Sequence, residues 1–148
     1  MKLSKPIHKS RLLAFKDEKI LVLEKVGLKK RYTLAGGVQK KNETDCHSLI
    51  REAEEEIGVL FNKNELHYFI SRRTKIKSKA KDKREVCKHY FVTTKNITSV
   101  ELLEPEKFKN ILWVPWYQAL EYLDKEDRSA VTIYCDEYRQ EANYKQKI

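Results

Sequence analysis

One stretch of 23 residues, Gly37 to Val59 (GVQKKNETDCHSLIREAEEEIGV), constrains this chain more than the remainder of it. Its second half has the marks of a helix. Thr44 or Asp45 can cap the N-terminus, and Gly58 is the residue expected just past the C-terminus. At about 100° per residue, Cys46, Leu49, Ile50, Ala53 and Ile57 fall on one apolar flank. Glu52, Glu55 and Glu56 gather on another, because residues three and four apart are neighbours on a helix. Three carboxylates on one face repel one another unless each is solvated or something positive sits among them. A plain charged surface is one reading. The other is a hard cation such as Mg²⁺, which prefers oxygen ligands and is commonly shared between a few carboxylates and substrate phosphates.

The full spacing decides between them. Gly37, five residues, Glu43, seven residues, then Arg51-Glu52-Ala53-x-Glu55-Glu56-x-Gly58-Val59 resembles the Nudix box, with every fixed position filled. At residue frequencies of roughly one in fifteen, seven fixed identities recur by chance on the order of once in a million or less. The resemblance implies an α/β fold, a mixed sheet sandwiched between helices with the box as a loop–helix–loop, over a single domain spanning residues 1–148. It implies hydrolysis of a nucleoside diphosphate linked to another moiety. Glu52, Glu55 and Glu56, with the carbonyl of Gly37, would ligate Mg²⁺ or Mn²⁺. The base for the attacking water would be one of these glutamates or an acid from a later loop. Glu43 and Arg51 would be structural, the arginine reaching back to the loop glutamate, and Gly58 would supply the turn at the helix end. Glu54 falls on the solvent side. Some family members bring a loop glutamate to the metal from just before a tryptophan-containing strand. EPEKFKNILW is similar, offering Glu104 or Glu106 ahead of Trp113. One departure is Ala35 where the family usually has proline before the two glycines.

Around the box, Arg11–Phe15, Ile20–Val26 and Arg31–Val38 have strand character, as do Asn64–Ile76 and Arg84–Lys95, which would form a long hairpin. Residues 100–110 suggest a loop around Pro105, and Ile111–Val114 a short strand. A short helix is expected after Pro115 and another from Asp127 onward. Cys46, Cys87 and Cys135 are odd in number and far apart, and no histidine stands at an evident ligand spacing from them. They suggest reduced thiols in a cytoplasmic protein, neither disulfides nor a zinc site. No apolar run is long enough for a membrane span, and no signal-type core precedes the first strand.

The formal charge of +9 is concentrated. Residues 72–84 (RRTKIKSKAKDKR) hold eight Lys/Arg against Asp82 alone. Such a cluster either attracts nucleic acid or an anionic ligand, or forms a solvated hairpin tip. In the first case Arg72, Arg73, Lys75 and Lys77 would meet substrate. Trp113, Trp116, Tyr68 or Phe91 could stack a base, although strand aromatics more often belong to the core. The functions that follow are release of a nucleoside monophosphate and pyrophosphate from a small nucleotide, the same chemistry at an RNA 5′-triphosphate end, or a non-catalytic nucleotide-binding module. The intact glutamates argue against the last. The family resemblance also allows a homodimer.

Overall fold

The computed structural model describes residues 5–74 and 84–139. Among them eight strands and three α-helices follow in chain order, besides shorter helical turns: β1 (Ile7–Leu13), β2 (Phe15–Lys16), β3 (Lys19–Lys25), β4 (Tyr32–Thr33), β5 (Gly36–Val38), α1 (Asp45–Ile57), β6 (Leu66–Arg73), β7 (Val86–Thr93), β8 (Phe108–Pro115), α2 (Trp116–Ala119) and α3 (Lys125–Tyr134). The strands make two sheets. The first runs β5-β1-β7-β6 and is mixed, with β1 and β7 parallel and the other pairs antiparallel. In the second, β3 pairs along its whole length with β8 and through its two ends with β2 and β4.

Strand alternation sorts the apolar residues into two cores. Leu12, Leu21, Leu23 and Phe91 pack with Leu49, Ala53 and Ile57 of α1. Leu13, Ile20, Val22 and Tyr90 pack with Ala130 and Val131 of α3. Neighbours along β1 and β3 thus feed opposite faces, which is why ILVL in β3 is buried without a break. Helices cover both faces, and the architecture is the α/β/α sandwich with a mixed sheet.

Three strand expectations are corrected. Arg11–Phe15 is not one strand, for β1 runs from Ile7 to Leu13 along β7 and Phe15 opens β2 in the other sheet. Residues 31–38 form two short strands in different sheets, not one strand. The chain crosses over at Leu34–Ala35, and Gly36 makes the crossing possible. Its φ is +143°, and a Cβ there would lie 1.8 Å from the Ser10 carbonyl oxygen, so no side chain fits. The strand expected at 111–114 extends over 108–115, because β3 offers an edge long enough to pair all of it and Phe108 is buried at its start. The hairpin of β6 and β7 forms, with a register shift between Tyr68 and Ile70. The connection that carries Lys75 and Lys77 lies outside the described residues. Among the described residues Cys46, Cys87 and Cys135 form no disulfide with one another. No helix among the described residues is long and apolar enough to cross a membrane.

Candidate active site

Helix α1 is held at both ends. Thr44 caps it, accepting a hydrogen bond from the His47 N–H at 3.1 Å, and Gly58 ends it in the left-handed conformation with φ 69°. With Leu49, Ala53 and Ile57 locked into the core, the next flank of the helix is aimed at the loop before it. Glu56 is 4% exposed and accepts a hydrogen bond from the Gly36 N–H at 2.7 Å. Burial pushes its carboxyl up to about 7, the charges of Glu52 and Glu104 add to this, and the Gly36 N–H and Arg11 oppose it.

Glu52 lies directly under Gly37. A Cβ at position 37 would come within 2.4 Å of the Glu52 carboxyl carbon, so here glycine is required by close approach and not by its torsion angles. Arg51 organises the surroundings. Its Nε and one terminal nitrogen grip both oxygens of Glu43 at 2.7 and 3.0 Å, the bidentate geometry that arginine favours. The guanidinium also donates to Glu52 at 3.0 Å, to Glu55 at 3.3 Å and to the Val38 carbonyl at 3.1 Å. One side chain therefore ties the loop, the strand β5 and the helix together. The Arg51 hydrogen bond holds the Glu43 carboxyl down at about 2. Glu55 is half exposed, and Glu54 points to solvent.

The two loop glutamates are placed differently. Glu104 has one buried oxygen with no hydrogen-bond partner and the other 3.0 Å from the Lys107 ammonium. Glu106 is exposed. Glu52 and Glu56 form part of a cleft of about 300 Å³ whose other walls carry Lys9 and Arg11 from β1, Lys25 from β3, and Lys107. Burial lowers the Lys9 pKa, and Arg11, Lys88 and Lys25 push the same way. The Arg11 Nε is buried without a partner. A second cavity of about 390 Å³ shares Lys25 and Thr33 with the cleft and is bounded also by Lys30, Tyr32, Tyr122 and Asp124.

The remaining expected binding residues are elsewhere. Arg72 donates to the Ser129 hydroxyl at 3.0 Å, and Arg73 pairs with Glu85 at 3.4 Å. Neither lines the cleft. Lys75 and Lys77 lie outside the described residues. Trp113 packs against the core beside α1, with the Lys16 ammonium 4.6 Å from its ring centre. Lys9, Arg11 and Lys25 were not picked out by sequence, because β1 and β3, which carry them, belong to different sheets and meet at the cleft only in the folded chain.

A divalent cation fits these observations. Glu104 has an oxygen in need of a partner, Glu56 is crowded by two like charges, and glycine alone lets the backbone at 37 sit on a carboxylate. All the donors are hard oxygens, the set that Mg²⁺ and Mn²⁺ take.

The chain matches the NUDIX domain over residues 7–134. It therefore belongs to the NUDIX family, and it is an enzyme of the Nudix hydrolase type. Among curated proteins none matches the chain in sequence. Solved structures share the fold. The MutT protein of Methanosarcina mazei Go1 superposes with a TM-score of 0.71 at 18% identity, covering 92% of this chain and 98% of that one. The dihydroneopterin triphosphate pyrophosphohydrolase of E. coli gives 0.69 at 15%, covering 90% and 97%. A C. elegans Ap4A hydrolase gives 0.65 at 17%, covering 88% and 96%.

Proposed function

We propose that this protein hydrolyses the diphosphate bridge of a nucleoside diphosphate-linked compound, with a nucleoside triphosphate, cleaved to monophosphate and pyrophosphate, as the first candidate. The observation that carries this is the meeting of carboxylates and cations in one cleft. Glu52 and Glu56 line it together with Lys9, Arg11, Lys25 and Lys107, and the charge of Glu104 reaches Glu56. A phosphate chain bridged to a divalent cation complements both sets of charges at once.

Glu52, Glu56, Glu104 and the Gly37 carbonyl would hold Mg²⁺ or Mn²⁺, with Glu55 close by. Bound there, the ion supplies positive charge against phosphate oxygens and acidifies water. The chain's own groups do the rest. Arg11, with an unpartnered buried Nε, is ready to donate to a phosphate oxygen, and Lys9 and Lys25 offset the charge of its neighbours. Arg51 keeps the glutamates in place, so little reorganisation is needed when substrate arrives. The water oxygen forms a bond to phosphorus as one box carboxylate accepts its proton. The bridging P–O bond breaks, and the leaving phosphate takes the electron pair. The second cavity, lined by Tyr32 and Tyr122 among others, offers room for the rest of the nucleotide. The names of two of the similar structures, a dihydroneopterin triphosphate pyrophosphohydrolase and an Ap4A hydrolase, agree with a polyphosphate ester as substrate class, and the second with a nucleotide. The RNA-end reading draws no support from Arg72 and Arg73, which are engaged away from the cleft.

The test is a panel of nucleoside triphosphates, dinucleoside polyphosphates, nucleotide sugars, ADP-ribose and 5′-triphosphate RNA, assayed with Mg²⁺ and with Mn²⁺. Metal-dependent release of pyrophosphate or a nucleoside monophosphate from a small nucleotide is expected. Turnover of the RNA alone would replace the substrate class proposed here.

A further inference from the structure

We propose that His8, Cys87 and His89, with Asp45 completing the set, form a binding site for a soft divalent transition metal, Zn²⁺ foremost, separate from the box carboxylates. The register of the mixed sheet builds it. His8 on β1 is paired with Cys87 on β7, and Ser10 with His89. Alternate residues of a strand share a face, so all three side chains emerge on the side that faces α1. That side is fixed by Ser10, whose hydroxyl donates to the Asp45 carbonyl at 2.8 Å. The cysteine and histidine spacing that looks uninformative along the chain is thus a ligand pair on a strand.

One ligand atom from each of the three lies within 4.8 Å of the others. The His8 Nδ1 is 2.8 Å from the His89 Nε2, and an Asp45 carboxylate oxygen is 3.7 Å from that same nitrogen. In a tetrahedral zinc site, with Zn–N near 2.0–2.1 Å and Zn–S near 2.3 Å, neighbouring ligand atoms stand about 3.3–3.6 Å apart. Side-chain adjustments bring His8, Cys87 and His89 to that spacing, and Asp45, which is near His89 alone, reaches the same point by a further turn of its side chain. Cys87 and His89 are both buried. The other nitrogen of His89, Nδ1, is 2.8 Å from the Tyr68 hydroxyl. A metal-bound histidine almost always donates its second N–H to such an oxygen, which fixes the ring and the tautomer. One thiolate, two imidazoles and one carboxylate suit Zn²⁺ or Co²⁺ and not Mg²⁺. Asp45 opens α1 and Glu52 lies seven residues further on, about 10 Å along the helix axis. The two sites therefore lie at opposite ends of one helix, and a metal at this one would pin the start of the box helix to β1 and β7. The competing role is a metal-free hydrogen-bonded cluster of His8, His89 and Tyr68.

The test is metal binding by the untagged full chain in excess Mg²⁺, which keeps the box carboxylates out of the measurement. The expected result is about one Zn²⁺ per chain and, with Co²⁺, a thiolate-to-cobalt charge-transfer band. Glu56→Gln should leave both unchanged. Cys87→Ser should abolish the band and weaken Zn²⁺ binding by on the order of a hundredfold or more, and Tyr68→Phe should weaken it roughly tenfold. Absence of a thiolate band in the wild-type protein, or Zn²⁺ binding that survives Cys87→Ser and fails in Glu56→Gln, would overturn the proposal. Should Cys87→Ser not fold, the wild-type cobalt spectrum decides alone.

Discussion

The adjacent glycines at 36 and 37 have different duties, and alanine at each should separate them. At Gly36 a methyl would meet backbone at 1.8 Å and the φ of +143° excludes it in any case. Gly36→Ala should cost about 3 kcal/mol of stability or more in urea denaturation. At Gly37 the obstacle is the Glu52 carboxylate, a side chain that can shift. Gly37→Ala should lose less stability, about 1–3 kcal/mol, yet reduce turnover by roughly a hundredfold through displacing Glu52. Equal damage to folding at both positions would contradict this division. Glu43 gives a second prediction, in acid. Its folded pKa lies near 2 against an ordinary value of 4.5, because of the Arg51 hydrogen bond. The stability it contributes is complete above pH 4.5 and is lost as pH falls through about 2. Glu43→Gln should therefore flatten the acid side of the stability profile in that window, and an unchanged slope would remove the pair from the account.

The elements differ in how plainly the sequence announced them. Helix α1 was legible because several independent signals agree on it: Thr44 at the cap, Gly58 at the end, and Leu49, Ala53 and Ile57 at helical spacing. The break at 34–36 was not legible, since RYTLAGGV has one continuous strand-like pattern and only the Ser10 backbone, 26 residues away, forces the chain aside. Strand β8 was read too short for a similar reason. Its polar Lys109 and Asn110 lack strand character, and it is β3 that supplies the pairing. Among the site residues, Arg51 and Glu43 were found through the resemblance to the Nudix box, whereas Arg11 and Lys25, lying on strands of different sheets, had no such guide. Residues 72–84 stood out only because their charges are clustered along the chain. At this scale the account predicts that Leu49→Ala, which empties the centre of the α1 interface, costs about 2–5 kcal/mol and lowers activity in step with the folded fraction. Calorimetry paired with activity per folded molecule would check it, and a specific activity that fell while the protein stayed folded would count against it.

For the whole molecule, the account places two sheets so that their charged residues converge on one cleft while their apolar residues fill two cores. Charge location then matters more than charge total. Arg11→Ala should raise KM for a nucleotide polyphosphate by about tenfold to a hundredfold, the value of a charge-assisted hydrogen bond. Neutralising Arg72 and Arg73 together should leave KM for the same substrate nearly unchanged. The reverse result would move the phosphate site to the other end of the first sheet. The central claim is that the box carboxylates of α1, with the buried Glu56 foremost, carry out metal-dependent cleavage of a diphosphate bridge. The most direct measurement is kcat/KM on the panel's best substrate for the wild-type protein and for Glu56→Gln, across a Mg²⁺ titration, with thermal unfolding of both as the control. The account predicts that the variant stays folded, loses at least about a hundredfold in kcat/KM, and no longer responds to Mg²⁺. Near-normal cleavage by folded Glu56→Gln would contradict it.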